Sequence, residues 1–186
     1  NVAPTARLVA HLAELGHQRI GIIAGLEGLA TSEERVAGYR RGLDAASLPY
    51  DAELVGRGNS DAEHARAATD RLLALDGPPT ALVVTNNRMT IGVMRALREA
   101  ELRVPDDIAL VAFDDFEWAD LFHPRLTTIA QANTQIGEQS VAMLLSRLAN
   151  PDLAVRKVQL EPRFVHRESC GCPAPVAVAG RRRDRN

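Results

Sequence analysis

The sequence predicts an α/β fold: a doubly wound, mostly parallel sheet flanked by helices. Three observations carry that prediction. Short apolar runs, Arg19 to Gly25, Ala81 to Val84 and Ile108 to Phe113, lack the polar alternation of a half-exposed strand, as for strands covered on both faces. Between them lie longer stretches with apolar residues at helical spacing. Strand and helix alternate at intervals of roughly thirty residues, which calls for βαβ units with right-handed crossovers.

In chain order, Leu8, Val9, Leu12 and Leu15 define a first helix over Thr5 to Leu15, stopped by Gly16. The strand Arg19 to Gly25 follows. Thr31 and Glu34 form a T-x-x-E capping-box pattern ahead of Val36, Tyr39 and Leu43, so a second helix is expected from near Ser32 to before Pro49. Glu53 to Gly56 reads as a short strand, and Ser60 to Glu63 repeats the capping-box pattern ahead of a third helix through Leu72 and Leu73. Asp76-Gly77-Pro78-Pro79 breaks the chain before the strand Ala81 to Val84. Thr85 or Asn86 then caps a helix carrying Met89, Val93, Met94 and Leu97.

The strand Ile108 to Phe113 ends in Asp114 and Asp115, with Trp118 a helical turn further on. Leu126 to Ala130 is a β-branched run, and Thr134 to Leu148 a helix with Ile136, Val141, Leu144 and Leu148 near one face. Two alternating segments, Arg156 to Leu160 and Arg163 to His166, suggest an exposed or antiparallel closing pair. Residues 173–186, with Arg181, Arg182, Arg183 and Arg185, read as a solvated, disordered tail.

Of 186 residues, 46% are hydrophobic and 25% charged, which suits one domain, or one and a fraction, with a sizeable core. Lysine and arginine number 22 against 24 acidic residues, so no basic surface for nucleic acid is expected of this segment. No stretch approaches the ~18 apolar residues of a membrane span. The opening residues lack the order of a signal peptide, and a cytoplasmic protein is expected. The absence of an initial methionine suggests a processed form or a fragment.

Catalytic signatures are missing: no G-x-G-x-x-G, P-loop, G-x-S-x-G or H-E-x-x-H occurs, and no enzyme or cofactor is expected. His166, Cys170 and Cys172 spell H-x3-C-x-C, but no fourth ligand is evident, so no metal site is expected. Ligands of open α/β sheets bind at the carboxyl ends of the strands. Asp114 and Asp115 stand at such an end, although paired aspartates there also serve as caps or turns, and a single tryptophan is often core.

Several segments together resemble the effector-binding core of the LacI/GalR transcriptional regulators, which has the type I periplasmic-binding-protein fold. They are HLAELGHQRIGIIAG, ERVAGYRRGL with its R-x-x-G-Y, PTALVVTNN followed by IGVMRALREAELRVPDDIALVAFDD, HPRLTTIAQ, and EPRFVHRES, which together cover nearly all of residues 5–169. The resemblance implies a core of two subdomains that binds a small effector, a sugar or related polyol, and controls operator binding by an attached helix-turn-helix. It also implies that residues 1–172 are the C-terminal portion of that core. Residues 2–126 and 156–167 would form the C-terminal subdomain, the helix within 131–150 would return to the N-terminal subdomain, and the helix-turn-helix and most of that subdomain would be absent. A periplasmic sugar-binding protein of a transporter shares the fold and is the alternative.

By the same resemblance Arg35 is the effector-gripping arginine; its bland role is a surface pair with Glu33 or Glu34. Thr31, one turn earlier, is both cap and ligand contact. Asn86 offers donor and acceptor together, though capping alone also explains it. Asp114 matches the carboxylate that accepts from sugar hydroxyls, and Trp118 can stack on a sugar ring. Ser60 stands where many relatives place a stacking aromatic, which leaves stacking to Trp118 or points to a ligand that is not a typical sugar. A homodimer is implied through Ile91, Met94, Arg95 and Phe122, unless the apolar three belong to the subunit's own core.

Overall fold

A computed structural model describes residues 1–172; the expected tail at 173–186 lies outside the described residues. Strands β1 (Ile20–Ala24), β2 (Val55–Arg57), β3 (Ala81–Val84), β4 (Ala109–Phe113), β5 (Thr127–Ala130) and β6 (Arg163–Val165) form one sheet in the order β2-β1-β3-β4-β5-β6. All neighbours pair in parallel except β5 with β6. Five helices accompany them among the described residues: α1 (Val2–Glu14), α2 (Ala30–Ala45), α3 (Ala62–Leu73), α4 (Asn87–Glu99) and α5 (Asn133–Ala149).

The sheet is covered on both faces, and strand alternation decides which residue meets which layer. Ile20, Ile22, Val83, Val111 and Phe113 pack with Leu8, Leu12, Tyr39 and Leu43 of α1 and α2. Ile23, Leu82, Val84 and Leu110 pack with Leu72, Met89, Val93 and Leu97 of α3 and α4. Every residue of β1, β3 and β4 is buried, which is why these strands read as unbroken apolar runs. Each fully buried Leu or Ile contributes roughly 1.5–3 kcal/mol.

The R-x-x-G-Y segment has a local physical meaning. A Cβ on Gly38 would stand 2.4 Å from the Val2 carbonyl oxygen, so glycine there lets α1 close on α2. The next residue, Tyr39, donates its hydroxyl to the Ile20 carbonyl at 2.7 Å and fastens α2 to β1. Burial of that phenol raises its pKa.

Three local expectations are corrected. Helix α2 starts from Leu29, with no side-chain cap, so Thr31 sits inside the first turn and the Thr31–Glu34 box does not form. The cap of α3 is Asp61, not Ser60: its carboxylate accepts from the Glu63 and His64 amides at 3.0 and 3.3 Å. A carboxylate reaching two amides outcompetes a neighbouring hydroxyl. Residues 156–160 form no strand, because their alternation meets no sheet edge; only β6 joins the sheet from that region.

Helix α5 forms where the spacing predicts but buries none of its residues. Ile136, Val141, Leu144, Leu145 and Leu148 are all exposed, Leu148 at 69%. No helix among the described residues is long and apolar enough to cross a membrane.

Candidate functional site

The chain runs from β1 outward to β2, then returns to β3 on the other side of β1. The crevice outside the carboxyl ends of β1 and β3 is therefore the topological switch point, where open α/β sheets bind ligands. The segments leaving those strands, and the start of α2, deliver the polar groups found there.

Arg35 is not half of a surface pair but a buried residue of α2. Its guanidinium lies over the Phe113 ring, 3.9 Å from the centroid, and donates to the Thr85 carbonyl and to Asn1 Oδ1. Asp114 Oδ2 stands 3.8 Å from Arg35 Nη1. Of the five N–H donors of an arginine, the two hydrogen bonds use two and leave three without a hydrogen bond among the described residues. Burial lowers the pKa of Arg35, with Asp114 and Glu34 pulling it back up; the group remains a cation at neutral pH.

Asp114 has φ of 74°, in the left-handed region that few residues other than glycine occupy. Such a conformation is held only by its surroundings. Here the amides of Asp114 and Asp115 both donate to the Ile129 carbonyl, at 3.0 and 3.1 Å. The Asp114 carboxylate accepts from Gln131 and faces Arg35.

The neighbouring aspartate does different work. Asp115 takes a two-pronged contact from Arg167, at 2.8 and 3.0 Å, and a third bond from Thr128 at 2.9 Å. Burial alone would raise its pKa, and these hydrogen bonds overcome it and hold the carboxyl below the usual range. Asp115 therefore ties the end of β4 to β5 and the C-terminal segment, while Asp114 pairs with Arg35 and Gln131.

Asn86 stands at the end of β3, next to the Thr85 carbonyl that Arg35 holds, and caps α4 by accepting from the Met89 amide at 2.8 Å. Its Oδ1 is thus engaged, and its amide NH2 makes no hydrogen bond among the described residues. Ser60 accepts from the Leu26 amide at 3.3 Å. Thr31 is exposed, whereas Ser32 beside it is buried on the face that carries Arg35. A Cβ on Gly25 would lie 2.4 Å from Ser32 Oγ and 2.9 Å from Ser60 Oγ, so two hydroxyls flank the bare backbone at the end of β1. Ser32 was not foreseen; the signal was its three-residue spacing from Arg35, which puts both on one helix face.

Trp118 is 62% exposed and lines, with Asn87, Arg88, Ile91, Phe116 and Glu117, a cavity of about 390 Å³. Adjoining it at Ile91, a groove of about 870 Å³ is lined by Ile91, Met94, Arg95 and Phe122 with Leu102 and Pro124. Met94 and Phe122 also pack in part against the core under α4, so they join both environments.

Residues 9–170 match the family model described as a periplasmic binding protein-like domain. The HTH-type transcriptional repressor PurR of Vibrio atlanticus is 32% identical over 159 residues, 86% of this chain and 48% of that protein. The probable HTH-type transcriptional repressor ExuR of Bacillus subtilis is 37% identical over 161 residues, 87% of this chain and 48% of that protein. The chain thus spans about half the length of the curated relatives it matches. Among solved structures, a LacI family transcriptional regulator from Enterococcus faecium with bound ribose superposes with a TM-score of 0.83 at 27% identity, covering 90% of this chain and 62% of that one.

Proposed function

We infer, from the premise that this chain belongs to the periplasmic binding protein-like domain family, that it is the ligand-sensing part of a LacI-family transcriptional regulator. The observation that carries this reading is the Arg35 and Asp114 pair at the switch point, where three of the five arginine donors make no hydrogen bond within the described residues. A cationic fork beside a carboxylate suits adjacent hydroxyls, which both accept and donate. The effector class is therefore a sugar or related polyol, gripped by Arg35, Asp114 and Asn86, with Ser60, Thr31 and Trp118 at the rim.

Residues 2–126 and 156–167 form one wall of the cleft in this reading, and α5 belongs against the other wall. The exposed apolar face of α5 supports that assignment, as does the match of this chain to only 48% of each relative. Effector binding between the walls biases their relative orientation, and this controls operator DNA only if the two orientations bind effector with different affinity. The DNA contact is assigned to a separate N-terminal domain, and the site of action is the cytoplasm. Repressors among the relatives favour this over a transporter component, and a binding protein over an enzyme.

The groove beside α4 is assigned to a two-fold dimer through Ile91, Met94, Arg95 and Phe122. A thermal-shift screen of pentoses, hexoses and polyols on the regulator at its full encoded length tests the effector class. At least one is expected to raise the melting temperature in a concentration-dependent way. A screen in which no sugar or polyol does so, while another class of metabolite does, overturns it.

A further inference from the structure

The C-terminal segment turns back under α1 and brings together three metal-binding side chains that lie far apart in sequence. His11 of α1 and Cys172 are separated by 161 residues, yet His11 Nε2 lies 3.4 Å from Cys172 Sγ. Cys170 completes the group, and the donor atoms of the three all fall within 4.8 Å of one another. Two ligands of a tetrahedral zinc with ordinary Zn–S and Zn–N bonds stand about 3.6 Å apart. The 3.4 Å between His11 Nε2 and Cys172 Sγ is that of neighbouring ligands on one ion, and Cys170 Sγ lies within 4.8 Å of both.

We propose that His11, Cys170 and Cys172 form a binding site for a thiophilic divalent cation, of which zinc is the representative. Two thiolates and an imidazole are soft and borderline donors, a set that selects zinc over calcium or magnesium. Both cysteines are free thiols, so both sulfurs are available. A water molecule supplies the fourth ligand, reaching the ion from the side where His11 and Cys172 are only half-buried.

The ligands are held in place before any ion arrives. Ser169, next to Cys170, accepts from the Thr127 amide at 2.8 Å and donates to the Leu110 carbonyl at 2.6 Å, which fixes the backbone of the segment to β4 and β5. Thr127 Oγ lies 3.2 Å from Cys170 Sγ, an outer-sphere contact of the kind that orients a ligand. The His11 ring is packed edge-on by Phe164 at 5.2 Å and His166 at 4.8 Å between centroids. The sequence pattern H-x3-C-x-C, from which no metal site is expected, contains His166; the geometry instead assigns His11 to the ion and His166 to the wall that positions it. This site is independent of the effector reading, since it shares no residue with the crevice.

The test is a titration of the untagged, reduced and metal-stripped chain with zinc against a chromophoric competitor, and with cobalt followed by absorbance. One ion per chain is expected, with thiolate-to-cobalt charge-transfer absorption and the visible bands of a tetrahedral complex. Cys172→Ser and His11→Ala should each weaken zinc binding by more than about 100-fold, beyond what a lost outer-sphere contact costs, whereas His166→Ala should stay within about 10–100-fold. Circular dichroism of each variant separates ligand loss from misfolding, and Cys172→Ser, at the half-buried end of the segment, is the variant least exposed to that ambiguity. The proposal is overturned by three results: no zinc uptake by the reduced chain, uptake that Cys172→Ser and His11→Ala leave intact, or uptake lost with His166→Ala but not with His11→Ala.

Discussion

Helices α2 and α5 are nearly equal in length, 16 and 17 residues, and their fates are opposite. The apolar side of α5 carries Ile136, Val141, Leu144, Leu145 and Leu148 and is covered by nothing among the described residues. The inward side of α2 is poorer in large apolar groups, with Ser32, Arg35, Gly38 and Gly42 beside Tyr39 and Leu43, and it is buried. Hydrophobic content therefore does not decide which helix is covered. Small residues let α1 approach α2 closely, and Ser32 and Arg35 on the same face meet the ends of β1 and β3. One helix is a finished part of the site; the other presents a surface that, in the proposed architecture, belongs against the second wall of the cleft.

The difference can be broken most directly by truncation. Leu43→Ala on α2 is expected to cost ~2–5 kcal/mol in urea unfolding, the range for buried leucines. Leu144→Ala on α5 is expected to stay within about 0.5 kcal/mol, as for an exposed position. Equal losses would mean that α5 is covered in solution, by itself or by a second copy. The two glycines sharpen the point with one substitution of opposite sign. Gly38→Ala puts a methyl against the Val2 carbonyl and should destabilise by roughly 1–3 kcal/mol. Gly137→Ala meets nothing within 4 Å and should stabilise α5 by ~0.5–1 kcal/mol. The smallest effect is local: amides of α5 should exchange with solvent well before those of β3 and β4, read by hydrogen exchange, because few buried contacts hold that helix.

These contrasts also explain what could be read from the sequence. The parallel sheet was legible because β1, β3 and β4 are buried on both faces, and only such strands carry unbroken apolar runs. Helix α5 was legible as a helix but not as an uncovered one, since periodicity names a face without naming its partner. The cap of α3 went to Asp61 because a carboxylate one residue on reaches two amides, and the capping-box pattern at Ser60 does not weigh that competitor. The alternation at 156–160 specified a strand face but could not supply an edge to pair with. Arg35 and Asp114 were picked out by the family resemblance, and the structure brings the two together; local pattern alone left each with a bland role. Why Asp114 rather than Asp115 faces the crevice depends on Arg167, more than fifty positions away, whose contact with Asp115 spans 52 residues. The same distance problem hid His11 from the two cysteines.

In the proposed function, Arg35 and Asp114 grip the effector. Calorimetric titration of the regulator with the sugar or polyol found by screening tests it, comparing wild type with Arg35→Met and Asp114→Asn. Removing one partner of a charge-assisted contact to ligand should cost ~2–5 kcal/mol, which is about 30-fold or more in affinity, with both variants still folded. Affinities within a factor of about three of wild type in both variants, under 1 kcal/mol, would contradict the account.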